Sequence, residues 1–230
     1  ADNGLSPYFA YAESFEVLPG IDPNTKNSYK PLEGKLYETG IKYAPSFLDG
    51  YINLALFDLE QTNSLVSTGS GQQTQAGEVT SQGIELEGSV QATEALRLTA
   101  AYTYTDAKTN DTGNGDRQAS LIPRHQASFW GNYKVQQGPV SGLEVGTGVR
   151  YIGSSVGIGA VNADYTPIYG SAQVPAQTVW DAMIGYDFAK NWRAQVNVNN
   201  LLNDTYVASC DYYCYYGEPR SIVGSVNYRW

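Results

Sequence analysis

A small number of side chains in this 230-residue sequence have types and spacing that could do chemistry. The only histidine, His125, stands in Pro123-Arg124-His125-Gln126, with Ser128 and Asp106 close by in sequence. A serine or aspartate hydrolase would need such a histidine as its general base. The simpler reading is a structural histidine at the start of a strand, and no catalytic residue is expected. Cys210 and Cys214 are the only cysteines, with three residues between them. With a single histidine they fall short of the ligand number and spacing of a structural zinc site, so neither a metal nor a cofactor is expected. The pair can instead be two free thiols or one disulfide. Glu85 and Glu87 stand two residues apart, a spacing that puts both carboxylates on one face of a strand.

Composition limits what these residues can belong to. The net charge is -9 and the 14 Lys and Arg are scattered, so there is no electrostatic footprint for nucleic acid. No window approaches the eighteen or so apolar residues of a membrane helix. The opening ADNGLSPYFAY has neither the basic start nor the apolar centre of a secretory leader. The chain is therefore expected to be a mature form or an excerpt of a longer protein. Tyrosine dominates the aromatics, with 19 Tyr and 4 Trp against 6 Phe. Rings with one apolar and one wet end suit interfaces and membrane belts better than a dry core.

The elements that must position these residues are strands. Leu96, Leu98, Ala100, Tyr102 and Tyr104 alternate with Arg97, Thr99, Ala101, Thr103 and Thr105, giving one dry and one wet face. The same split recurs at Ile84, Leu86 and Val90, at Trp192 to Val198, and at Ile222, Val226, Tyr228 and Trp230. Glu85 and Glu87 fall on the wet face, where a solvated wall suffices to explain them. About ten such segments follow: 6–13, 36–44, 50–60, 78–91, 95–106, 124–135, 142–153, 174–188, 191–202 and 220–230. Many reach ten residues or more, about twice the globular norm of five or six.

Short connections (44–50, 92–95, 136–141, 189–191) alternate with long polar ones (14–35, 61–77, 107–122, 154–173, 203–219). A meander with short turns on one side and long loops on the other is the layout of an outer-membrane barrel. A soluble β-sandwich also alternates, but its dry face meets a second sheet, whereas here Tyr and Trp cap the dry face. In lipid such a sheet must close or join further strands, because an open edge leaves N–H and C=O groups without partners. On this layout Cys210 and Cys214 lie in the last outer loop, in an oxidising compartment, and are expected to be bridged. Tyr165 and Tyr169 in one outer loop, and Tyr212, Tyr213, Tyr215 and Tyr216 in another, either line a ligand mouth, pack loop against loop or form an interface belt.

The stretches SPYFAYAESFEVLPG, YETGIKY, SQGIELEG, PRHQASFWGNY, GVRYIGSSVG, VPAQTVWDAMIGYDF and NVNNLLNDTYVASCDYYCYYGEPRSIVGSVNYRW resemble the TonB-dependent siderophore receptors, nearest the ferric-hydroxamate type. The resemblance runs end to end. It implies an all-β, antiparallel transmembrane barrel of about 22 strands whose lumen holds an amino-terminal plug. Residues 1–230 then correspond to the carboxyl-terminal segment of that barrel, about ten strands, without the plug or TonB box. The resemblance further implies that Cys210 and Cys214 form the last-loop disulfide and that Tyr212 and Tyr213 stand where ligand contacts fall. It implies a Gram-negative outer-membrane location in contact with lipid, a ferric siderophore as transported ligand, and energy from the TonB-ExbB-ExbD complex through the plug. Tyr228 and Trp230 resemble the terminal aromatic signal that the barrel-assembly machinery recognises. Two other functions stand beside this one: a passive pore or adhesin on a self-closed ten-strand barrel, and a hydrolase using His125.

Overall fold

The computed structural model describes residues 3–23, 25–67, 73–111, 115–161, 167–211 and 213–230. These contain fifteen strands and no helix: β1 (Leu5–Glu16), β2 (Leu32–Tyr43), β3 (Gly50–Ser67), β4 (Gln73–Gln91), β5 (Leu96–Asp111), β6 (Gly115–Gln118), β7 (His125–Lys134), β8 (Leu143–Ile152), β9 (Ser155–Val161), β10 (Pro167–Val174), β11 (Gln177–Ala189), β12 (Trp192–Asn199), β13 (Val207–Asp211), β14 (Tyr213–Tyr216) and β15 (Ser221–Tyr228). Ten of them form one antiparallel path, β1-β2-β3-β4-β5-β7-β8-β11-β12-β15, and each of the ten segments expected from alternation is one of these strands. β6 pairs only with β5, while β9 with β10 and β13 with β14 form two separate hairpins inside the long connections.

Register carries the two-residue period across the whole sheet. Leu96, Tyr133, Val145, Ile184, Val196 and Gly224 stand opposite one another on successive strands. One residue along, the row reads Lys134, Glu144, Gly185, Gln195 and Ser225. One face is thus a continuous apolar surface and the other a polar wall. No second sheet covers the apolar side: Tyr133, Val145 and Ile184 are each 43–49% exposed. Among the described residues no large side chain is fully buried, and the buried apolar set is small, with Ala55, Ala107, Ala119 and Val179 among its members. Water would penalise this arrangement. Lipid removes the penalty, and that excludes the sandwich.

The apolar face has the height of a bilayer. From Leu96 to Tyr104 the chain rises roughly 27 Å along β5, or about 20 Å across a membrane at the usual strand tilt. Aromatic rings mark both rims. At the short-turn rim Phe188 lies 6.2 Å from Trp192, which lies 4.9 Å from Tyr228. At the long-loop rim Tyr11 and Tyr37 meet at 4.9 Å. On the next three strands the same row turns polar, continuing from Tyr37 to Asp58, Gln82 and Asp106. There β3, β4 and β5 continue to 18, 19 and 16 residues, well past the ten or so that cross a membrane. The expected 50–60, 78–91 and 95–106 are therefore short at the outer end.

β1 and β15 form the two edges of the sheet, and among the described residues they do not pair with each other. The small self-closed ten-strand barrel is therefore not formed. Each strand of the path is bonded to the strands beside it in that order, which among the described residues leaves one side of β1 and one side of β15 without a partner strand.

Ala100 and Ala101 test the two facings at adjacent positions. Ala100, between Gly88 and Phe129, faces lipid near mid-height, whereas Ala101, between Glu87 and Ser128, faces inward. Ala100→Arg is expected to cost about 2–4 kcal/mol of bilayer folding stability and Ala101→Arg less than about 1 kcal/mol. Denaturant-driven folding into vesicles measures both, and equal costs would refute the assignment of faces.

Candidate functional site

The long connections build a second layer above the outer rim. The β9–β10 and β13–β14 hairpins pack on one another, with β13 touching both strands of the first. The approach is close: a Cβ on Gly157 would lie 1.7 Å from the Cys210 carbonyl oxygen, so only glycine fits there. Leu121 joins the same layer, its N–H donating to the Val156 carbonyl at 2.8 Å. Alternation did not reveal these hairpins, because clear of the membrane a strand needs no apolar face.

The cysteines stand opposite each other across the β13–β14 hairpin and are bonded as a disulfide. Cys210 is buried against the β9–β10 hairpin and Cys214 is exposed. Beside them Tyr213 is 74%, Tyr215 60% and Tyr216 75% exposed, a group of side chains left open to solvent on the outer hairpin. Tyr165 and Tyr212 lie outside the described residues. Tyr169 lies in β10, its backbone opposite Ile158, which places its strand against the hairpin of the disulfide.

The stem of this last loop is the stretch Asn199-Asn200-Leu201-Leu202-Asn203-Asp204. Asn200 and Asn203 both have positive φ, 51° and 59°, the left-handed region that asparagine tolerates best among non-glycine residues. Asn200 is buried. Its Nδ2 donates to the carbonyls of Asp204, 2.9 Å, and Glu218, 3.1 Å, and its Oδ1 accepts from the Asp204 N–H at 2.9 Å. Its own N–H donates to Asp181 Oδ1 at 2.9 Å, on the inner face of β11. Asp181 is held in turn by Arg150 of β8, at 2.7 Å through Nε and 3.2 Å through Nη2. Neither Asp181 nor Arg150 carries a sequence signal of a site; only the polar interruptions in VWDAMIG and GVRYIG mark them as inward-facing.

Lower on the polar wall, Arg193 pairs with Glu144 at 2.5 Å and Asp187 at 3.2 Å, and Lys134 reaches Asp187 at 2.8 Å. Lys134, Asp187 and Arg193, with Gln195 and Asn227, line an open cavity of about 690 Å³ at the short-turn end. Glu87 accepts from Asn53 Nδ2 at 2.9 Å on the same wall, as the solvated-wall reading requires, and Tyr8 donates to Glu38 at 2.6 Å. Trp130 also faces inward, over Gly146 and Gly148, where a Cβ on Gly148 would lie 2.2 Å from its ring.

The hydrolase constellation is not brought together. His125 Nδ1 shares a hydrogen bond with the Tyr102 hydroxyl at 2.9 Å and packs against the Tyr104 ring at the outer rim. Ser128, an odd number of residues along β7, faces the other side. Asp106 is engaged by Lys108 at 3.3 Å and Arg124 at 3.4 Å. Among the described residues no group of three or more His, Cys, Asp or Glu side chains could hold a metal ion. At the short-turn rim Tyr228 is packed by Trp192, while Trp230 follows the end of β15 and is fully exposed.

A family profile described as "TonB dependent receptor-like, beta-barrel" matches residues 1–201. The chain belongs to the TonB-dependent receptor family. Its relatives include the ferrichrome outer membrane transporter/phage receptor of Escherichia coli K12, 37% identical over 99% of this chain and 30% of that protein. The ferrioxamine B receptor of Salmonella typhimurium is 36% identical over 99% of this chain and 32% of its own length. Among solved structures, the ferric-catecholate import receptor Fiu of E. coli K12 superposes with a TM-score of 0.74 at 27% identity, over 98% of this chain and 33% of that one. The ferripyoverdine receptor of Pseudomonas aeruginosa gives 0.83 at 23%, over 97% and 31%, a likeness of fold. The chain spans about a third of the length of these TonB-dependent receptors. Family membership places it in the Gram-negative outer membrane, with its short-turn rim at the periplasmic side and its hairpin layer outside.

Closing only five residues, the disulfide constrains the unfolded chain by at most about 2 kcal/mol. Cys210→Ser with Cys214→Ser is accordingly expected to leave barrel stability nearly unchanged while raising protease cleavage between residues 207 and 216. Gly157→Ala, with the bridge intact, should raise the same cleavage by pushing β13 off the β9–β10 hairpin. Unchanged digestion of both variants would show that neither contact holds the loop.

Proposed function

We propose that this chain is the carboxyl-terminal wall of a receptor that takes up a ferric siderophore, of hydroxamate type, across the outer membrane. The observation that carries the proposal is a bilayer-high apolar face joined to a disulfide-pinned outer hairpin that exposes Tyr213, Tyr215 and Tyr216. Flat rings with hydroxyl tips suit a compact ligand that is apolar over much of its surface yet presents hydrogen-bonding groups. Relatives named as ferrichrome and ferrioxamine B receptors support the hydroxamate class.

In this reading the ligand binds outside the cell between the loop tyrosines and a plug that fills the lumen. TonB-ExbB-ExbD supplies the energy that rearranges the plug, no bond of the ligand is broken, and the protein carries no cofactor of its own. The free sides of β1 and β15 pair with the remaining strands of a barrel of about 22, because an unpaired edge in lipid leaves main-chain groups unsatisfied. Tyr228, at the end of β15, and Trp230, just past it, are where the barrel-assembly machinery engages this strand.

Cells that rely on the full-length receptor for iron, fed one siderophore at a time, test this reading. Growth on ferrichrome or a ferrioxamine is expected, with loss on Tyr213→Ala combined with Tyr216→Ala at unchanged receptor abundance. Growth on catecholates alone would replace the hydroxamate class, and growth on no ferric siderophore would remove the substrate.

A further inference from the structure

The hydrogen bonds around Asn200 connect two regions that the barrel otherwise separates, the inner wall and the outer mouth. Below, Arg150 and Asp181 face the lumen from neighbouring strands, joined by a two-point ion pair in which Arg150 remains half-exposed and Asp181 is largely covered. Above, Asn200 binds both stems of the last loop, at Asp204 on the way out and at Glu218 on the way back. The stems close further through the Gly217 N–H, which donates to the Tyr206 carbonyl at 2.9 Å, and through the Arg220 N–H, which donates to Asn203 Oδ1 at 3.0 Å.

We infer that Arg150, Asp181 and Asn200 are positioning residues of the outer mouth, a clamp through which the lumen wall sets the place of the last loop and its tyrosines. The reasoning is steric and electrostatic. Asn200 can hold both stems only in its left-handed conformation, and its N–H is fixed in that conformation by Asp181 Oδ1. Without Arg150 a single bond, from the Asn200 N–H to Oδ1, would hold Asp181; Arg150 grips both oxygens, and a bidentate guanidinium fixes a carboxylate in plane as well as in place. Each member of the chain thus fixes the orientation of the next. The disulfide makes the hairpin rigid within itself; the clamp determines where that rigid hairpin sits. The tyrosines being a ligand mouth is the one element taken from the proposed function.

The test uses the full-length receptor in micelles, with barrel folding checked by heat-modifiable electrophoretic mobility and with hydrogen exchange read in the absence of any siderophore. Arg150→Gln and Asp181→Asn are expected to speed exchange at the amides of residues 204–206, 217, 218 and 220 by about tenfold or more. Exchange within the bridged 209–214 segment should change little, and Arg150→Lys, which keeps the charge but loses the fork, should fall between. Should Asp181→Asn fail to fold, Arg150→Gln decides, because its altered group is half in solvent. Unchanged stem exchange in a folded Arg150→Gln barrel overturns the clamp. Ferrichrome binding is then measured on the same variants. Faster stem exchange with weaker binding supports both the clamp and the mouth, whereas faster exchange with unchanged binding keeps the clamp and removes the tyrosines from the ligand site.

Discussion

The main-chain ladder between antiparallel neighbours is the interaction on which everything else in this chain depends. In hydrocarbon no water replaces a missing partner, so each N–H and C=O in the spanning region must be answered by the adjacent strand. Ten strands meet that requirement in simple sequence order, with registers that run unbroken from β5 through β7 and β8 to β11. Once the ladder is fixed, side chains have only two directions available. The outward set can be apolar without a core to enter, and the inward set can be charged without leaving water.

That division explains how this protein is held together without large buried side chains. Stability here comes from the paired backbone and from lipid against Leu86, Tyr133, Ile184 and their neighbours, rather than from packing one protein layer on another. Where two protein layers do meet, above the outer rim, small buried residues appear: Ala107, Ala119, Val174 and Cys210. Gly157 belongs to the same region because the β13 backbone comes too near for any side chain. The change from lipid-covered to protein-covered sheet is thus visible in residue size.

The same physics decides what could be read from sequence. Alternation is imposed only where one face meets lipid, so the ten spanning strands were legible and the continuations of β3, β4 and β5 into water were not. The β9–β10 and β13–β14 hairpins lie wholly beyond the membrane and read as polar loops. Cysteine pairing was legible because compartment and chemistry restrict two isolated cysteines to few states. The role of Asn200 was not, since an asparagine after a strand reads as turn chemistry. Its partners Asp181 and Arg150 are 19 and 50 residues away, and no local pattern joins them. His125 was legible as a strand-end residue, and its tyrosine neighbours come from β5 across the ladder.

Separation of the two faces also shapes how the mouth can be built. Strand ends at the outer rim are fixed by the ladder beneath them, but a long loop inherits only the position of its two stems. The β13–β14 hairpin hangs between Asn199 and Ser221, which stand opposite each other on β12 and β15. Three features supply what the ladder does not: the bridge within the hairpin, the docking of β13 on its neighbour hairpin, and the stem hydrogen bonds of Asn200. They act on different degrees of freedom, namely internal shape, lateral position and tilt. Loss of the docking or of the stem bonds should therefore shift the loop as a unit, whereas loss of the bridge loosens the hairpin itself.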